Sequence, residues 1–131
     1  MRYIILSLCV CLQFTLSFSQ SKKHFNQTYA KAKSQLKSKE YDDAMYNFKD
    51  LTKEHKNNNY VEYSYYWCGY AAFKSGKLSD ARFILLKLLQ DYPTWVNKDD
   101  ANYLLANVLL EEEDNFRAQF YFEEIQKPKI K

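Results

Sequence analysis

Few side chains in this 131-residue sequence could run a reaction near neutral pH. They are His24, His55, Cys68 and the acidic run Glu111-Glu112-Glu113-Asp114. A thiol needs a nearby imidazole to become a strong nucleophile. Cys68, however, falls on the apolar stripe of its segment, with His24 near the amino end and His55 near a helix end. No two histidines have metal-ligand spacing, and no Gly-rich loop or nucleophile motif is present. The acidic run lacks the alternating ligands of a calcium loop. The sequence therefore predicts a non-enzyme with no cofactor and no metal. Cys68 reads as a small core residue, since free cysteine is often fully buried.

The other two cysteines, Cys9 and Cys11, belong to a targeting segment. Arg2 supplies a minimal positive end, Tyr3 to Phe18 is almost wholly apolar, and Ser17-Phe18-Ser19 offers small residues to a signal peptidase. Residues 1–19 are expected to be a signal peptide cut before Gln20. A retained anchor is the alternative, but the apolar run is short for a span of about 20 residues. Lipidation is less favoured: Cys9 follows Leu8 and Cys11 follows Val10, where an acceptor cysteine usually follows a small residue. After cleavage only Cys68 is left, so no internal disulfide can form. The expected product is exported, periplasmic or secreted, with no membrane span.

Residues 20–131 suit a single domain. With two glycines, two prolines and 18% aromatics, disorder is not expected. Organisation is clearest in Tyr65–Pro93. Its first segment places Gly69 and Ala72 three apart, so another helix can approach closely, and Ser75-Gly76-Lys77 breaks it. The second carries Leu78, Ala81, Leu85, Leu88 and Tyr92 on one helical face, and Pro93 stops it. A shift of 37 superposes Ala44, Ala81 and Ala118; Phe48, Leu85 and Phe122; Leu51, Leu88 and Ile125; Ala32, Gly69 and Ala106; and Tyr29, Tyr66 and Tyr103. Five such columns at one period make a repeat. Six helices are predicted at about 22–38, 41–56, 60–75, 78–91, 98–112 and 115–127.

These columns resemble the tetratricopeptide repeat (TPR) family. Its pattern is carried by Gly69, Gly76, Leu78, Ala81, Leu85, Leu88 and Pro93 in the middle copy. The first copy offers Ala32, Tyr41, Ala44, Phe48 and Leu51; the third offers Leu105, Ala106, Ala118, Phe122 and Ile125. The period exceeds the family's, about 34, and the extra residues fit the loops Lys56–Asn59 and Thr94–Lys98. Lys39 and Glu113 stand where a turn glycine is common. The resemblance implies an all-α, right-handed solenoid of three antiparallel helix hairpins, with repeats at about 24–58, 60–95 and 97–129. The export segment and the QDYP ending of the middle copy are similar to small TPR proteins of the bacterial cell envelope.

In that family the first helix of each hairpin lines a concave groove. Carried over, the groove residues are Asn26, Tyr29, Lys33 and Lys37; then Tyr63, Tyr66, Tyr70 and Lys74; then Asp100, Tyr103, Asn107 and Glu111. Tyr29, Tyr66 and Tyr103 would form a tyrosine row along a lysine-to-acid gradient. Tyrosine suits a binding surface, being large, able to hydrogen-bond and cheap to immobilise. The same rings could equally pack between helices. Trp67 is expected to fill the junction with the first repeat, and Trp95 to seal a hairpin junction. Phe83, Ile84 and Leu86 make the fourth helix apolar nearly all round, the pattern of an element covered on both sides.

Charge splits unevenly: Ser21 to Lys56 holds nine lysines and five acids, Asn57 to Lys131 nine bases and eleven acids. The small net value gives no support for nucleic-acid binding. Lys31, Lys33, Lys37 and Lys39 read as a solvated face, with attraction of an acidic partner as the alternative. The expected function is an envelope adaptor binding a protein or peptide in the groove; a structural subunit of a larger assembly is the alternative. A solenoid normally ends in a polar cap. Here Phe116, Phe120 and Tyr121 suggest docking or self-association through the last hairpin.

Overall fold

The computed structural model describes residues 2–54 and 60–126, with side chains from residue 20 onward to residue 125. Six helices follow in order: α1 (Arg2–Lys37), α2 (Tyr41–Leu51), α3 (Val61–Lys74), α4 (Leu78–Asp91), α5 (Lys98–Glu111) and α6 (Asn115–Gln126). Among the described residues there is no strand. Each helix packs on the next in the chain, and α3 also meets α5. The result is a TPR-like solenoid of three helix hairpins, α1/α2, α3/α4 and α5/α6.

Helix ends agree with the sequence reading to within a residue or two, apart from two places. α1 begins at Arg2 rather than near residue 22, because no glycine or proline interrupts residues 2–37. α2 ends at Leu51 rather than residue 56, with Thr52 as its C-cap. His55, the Lys56–Asn59 loop and the Pro128–Lys131 tail lie outside the described residues. No helix among the described residues is long and apolar enough to cross a membrane.

The period of 37 is most literal in the turns inside the hairpins. Lys39, Gly76 and Glu113 all adopt left-handed backbone, with φ of 60°, 75° and 63°. Around each, the same three backbone bonds close the preceding helix. In the middle copy the amides of Ser75, Gly76 and Lys77 donate to the carbonyls of Ala71, Phe73 and Ala72 at 2.9, 3.0 and 2.9 Å. In the first copy Ser38, Lys39 and Glu40 donate to Ser34, Leu36 and Gln35. In the third, Glu112, Glu113 and Asp114 donate to Val108, Leu110 and Leu109. This is a left-handed helix stop, which satisfies carbonyls that would otherwise be orphaned.

Behind the turns lies the core. Ala44, Ala81 and Ala118 are fully buried, as are Phe48, Leu85 and Leu88. Gly69 explains how closely α3 and α4 approach: a Cβ there would lie 2.7 Å from Leu85 Cγ. Buried side chains form two clusters. One joins Phe25, Ala32, Phe48, Tyr65, Ile84, Leu88 and Ala101; the other joins Ala72, Leu85, Leu105, Val108 and Ala118. Residues of α3, α4 and α5 enter both, so the middle of the stack ties the ends together.

A further expectation is corrected here. α4 is not covered on both sides: Ile84 is buried, but Phe83 is 67% exposed. Two residues beyond Ala81, it sits about 200° round the helix from the core face. Asn97 takes the N-cap position of α5 without capping it. Its side chain instead donates to the Tyr63 hydroxyl at 3.3 Å.

Candidate partner-binding surface

The first helices bring five of the twelve family-derived groove residues, Tyr29, Lys33, Tyr63, Tyr66 and Tyr70, onto one connected aromatic band. Tyr29 packs on Tyr60 (5.5 Å between ring centroids), Tyr60 on Tyr63 (6.0 Å) and Tyr63 edge-on to Trp95 (5.3 Å). From Trp95 the band continues to Tyr66 (5.8 Å), Trp67 (5.0 Å) and Tyr70 (5.7 Å). Such offset and edge-to-face pairs hold rings in fixed orientations. Most are half-buried, each keeping part of a ring in solvent.

Trp67 on α3 is reached by a side chain of α1. The Lys33 ammonium stands over its ring, 3.4 Å from the centroid. This is a cation–π contact at close range. Burial lowers the Lys33 pKa from its ordinary range, and the Lys37 charge lowers it further. Burial likewise raises the Tyr29 and Tyr66 hydroxyls, and the Asp100 carboxylate adds to the rise at Tyr66. Lys33 has thus left the solvated lysine face, on which Lys31, Lys37 and Lys39 stay exposed.

The third hairpin is arranged differently. Tyr103 is 60% exposed and packs edge-on against Phe122 of its own hairpin at 5.9 Å, outside the band. Tyr29 makes the equivalent contact with Phe48 at 5.6 Å. Leu85 replaces the phenylalanine in the middle copy, and Tyr66 turns to Trp67 and Trp95 instead. The three tyrosines therefore share a repeat position without forming a continuous row. The Asn107 amide donates to the Tyr103 carbonyl on its own helix at 2.7 Å. Asn26, Lys37, Lys74, Asp100 and Glu111 are exposed.

Sequence reasoning left Tyr60, Trp67 and Trp95 out of the surface. They come from a connector, from the helix flank and from the loop after Pro93, and only tertiary packing aligns them with Tyr63 and Tyr66. A signal did exist: five aromatics fall within Tyr60–Trp67.

Two residues of the acidic run, Glu112 and Asp114, find partners inside the chain. Asp114 accepts from the Arg117 amide (3.0 Å) and from its Nε (2.6 Å), which caps α6 and holds the Asp114 carboxyl below its usual range. Glu112 Oε2 lies 2.9 Å from Arg82 Nε on α4, an ion pair whose N–H points off the contact line. The carboxylates at the end of α5 thus brace α4 and start α6. Cys68 is fully buried, with Sγ 3.4 Å from the Met45 carbonyl. Among the described residues no group of His, Cys, Asp and Glu could hold a metal. A shallow depression of about 460 Å³, lined by Lys22, Lys23, Asn26, Gln27 and Ala30, has walls from α1 alone and shares only Asn26 with the groove set.

Taken singly, curated proteins give no match to the chain. The YfiO family model, described as an outer membrane lipoprotein, matches residues 21–127, which covers all three hairpins. With the helical stack and that match together, this chain belongs to the YfiO outer membrane lipoprotein family.

Proposed function

We propose that the protein is a non-enzymatic adaptor of the cell envelope that holds a protein or peptide segment against its first helices. The observation that carries this reading is the connected band from Tyr29 through Trp95 to Tyr70: half-buried rings, already fixed by their neighbours, lose little freedom on binding. Tyr29, Lys33, Tyr63, Tyr66 and Tyr70 form its centre. Lys37 and Lys74 flank it, and Tyr103 and Asn107 continue the surface onto the third hairpin. Binding proceeds by burial of ring faces, with tyrosine hydroxyls and exposed charges setting register.

Residues 1–19 serve as a cleaved signal, and residues 20–131 form the exported domain. The family description names a lipoprotein, but neither Cys9 nor Cys11 follows a small residue. We therefore place the mature start at Gln20, without lipid. Intact mass of the exported protein checks this; a mass carrying acyl chains on Cys9 or Cys11 overturns it.

The groove is tested by photocrosslinking in cells. A benzophenone side chain at Tyr63, Tyr70 or Asn107 should capture one partner, and the same group at exposed Gln90 on α4 should not capture that partner. The second reading, a structural subunit docked through its last hairpin, is favoured by Phe116 and Phe120, which are 86% and 52% exposed. It predicts the reverse pattern, with crosslinks from positions 116 and 120 and none from 63 and 70.

A further inference from the structure

The second helices carry a feature that the groove reading does not use. Tyr46, Phe83 and Phe120 are separated by 37 residues each, and all are exposed, at 72%, 67% and 52%. Each stands two residues beyond a fully buried alanine of the repeat, Ala44, Ala81 or Ala118, and so points about 200° away from it. A large aromatic at the same outward position of three successive hairpins has no core role. Phe116, 86% exposed and one turn before Phe120, widens the last rung.

The area and the charge around this row limit what can cover it. At roughly 150–250 Å² per aromatic side chain, these four expose on the order of 500 Å² of apolar surface. That matches the largest apolar patch of a typical monomer, which is often functional, and suits the apolar centre of an interface burying about 800 Å² a side. Three bases near the row are bonded within their own helix or turn, Lys53 to Asp50 at 3.0 Å, Lys87 to Asp91 at 2.8 Å and Arg117 to Asp114, while Lys49, one turn beyond Tyr46, is exposed. Little positive charge is left for an anionic lipid surface. The row itself is self-complementary. Three similar rungs laid antiparallel on a copy of themselves put Tyr46 against Phe120, Phe120 against Tyr46, and Phe83 against Phe83, which is what an isologous interface requires.

We propose that this outer face is the interface of a twofold-symmetric homodimer, with Phe83 on the axis and the second helices of the two chains facing each other. The proposal is independent of the groove, which lies on the first helices.

Single cysteines in the full chain, expressed with its own leader, test the arrangement. A residue on a twofold axis meets its own counterpart, so Phe83→Cys should form a disulfide-linked dimer on export. Its yield should exceed that of Gln90→Cys on the same helix by roughly tenfold, since a disulfide needs Cα atoms within about 7 Å. Tyr46→Cys and Phe120→Cys should each stay monomeric alone. Co-expressed with different tags, they should form the mixed dimer. Equal dimer from Phe83→Cys and Gln90→Cys, or none from either, overturns the proposal. A Phe83→Cys adduct with another protein assigns the face to that protein. Protection of that thiol from an impermeant maleimide only when membranes are present assigns it to lipid. Either result also overturns the homodimer.

Discussion

Burial decides what Cys68 does in an oxidising compartment. Its thiol is pushed up from 9.0 to about 12, because no solvent reaches it to stabilise the thiolate. The native protein should therefore leave Cys68 unmodified by a disulfide reagent at pH 8 and expose one reactive thiol on unfolding. Fast native labelling would show that the α2–α3 contact opens. The folded thiol keeps its proton to about 12 and the unfolded one to about 9, so this group's contribution to stability holds below pH 9 and is lost between pH 9 and 12. Gly69 makes a second prediction at this scale. Alanine there gains about 1 kcal/mol of helix propensity. It also drives a methyl to within 3 Å of the fully buried Leu85, an overpacking that costs about 1–3 kcal/mol. Gly69→Ala should lower stability by about 1 kcal/mol in urea unfolding. A variant as stable as the parent would mean that Leu85 has room to swing aside.

Among the elements, the turns are the most informative. Lys39 and Glu113 hold the left-handed backbone that Gly76 adopts freely, at a cost of about 1–2 kcal/mol for a residue with a Cβ. Lys39→Gly and Glu113→Gly should each stabilise the chain by roughly 0.5–1 kcal/mol, after the extra freedom glycine gives the unfolded state. Gly76→Ala should destabilise it by a similar amount, though no neighbouring atom would be touched. If all three changes were neutral, these turns would not be what stops α1, α3 and α5. The turn positions were legible in the sequence because the period located them even where glycine was missing. Helix ends were legible for the same reason, since Gly, Pro and apolar spacing act locally. The outward row was not. Apolar content alone cannot tell a helix covered on two sides from one that shows a ring to solvent, and so Phe83 was misjudged. Nor could spacing show Lys33 folded over Trp67, or Asn97 turned from its cap to Tyr63, because both depend on side chains meeting across helices.

For the molecule as a whole, the two core clusters share α3, α4 and α5, so neither end can unfold without exposing the middle. Thermal unfolding should be a single transition, with tryptophan fluorescence (Trp67 and Trp95 pack against the first cluster) coinciding with helical signal. A fluorescence transition displaced from the helical one would show that the hairpins melt separately.

The matching turns also imply a modular chain. The 37 residues from Lys77 to Glu113 run from just after one left-handed turn residue to the next. A tandem copy of that block would join at a turn, leave every helix its present length, and bring a new α4–α5 contact with it. Growth or shrinkage of the stack by whole units is therefore open to simple gene duplication or loss. Length along the solenoid can change while the packing rules at each junction stay the same.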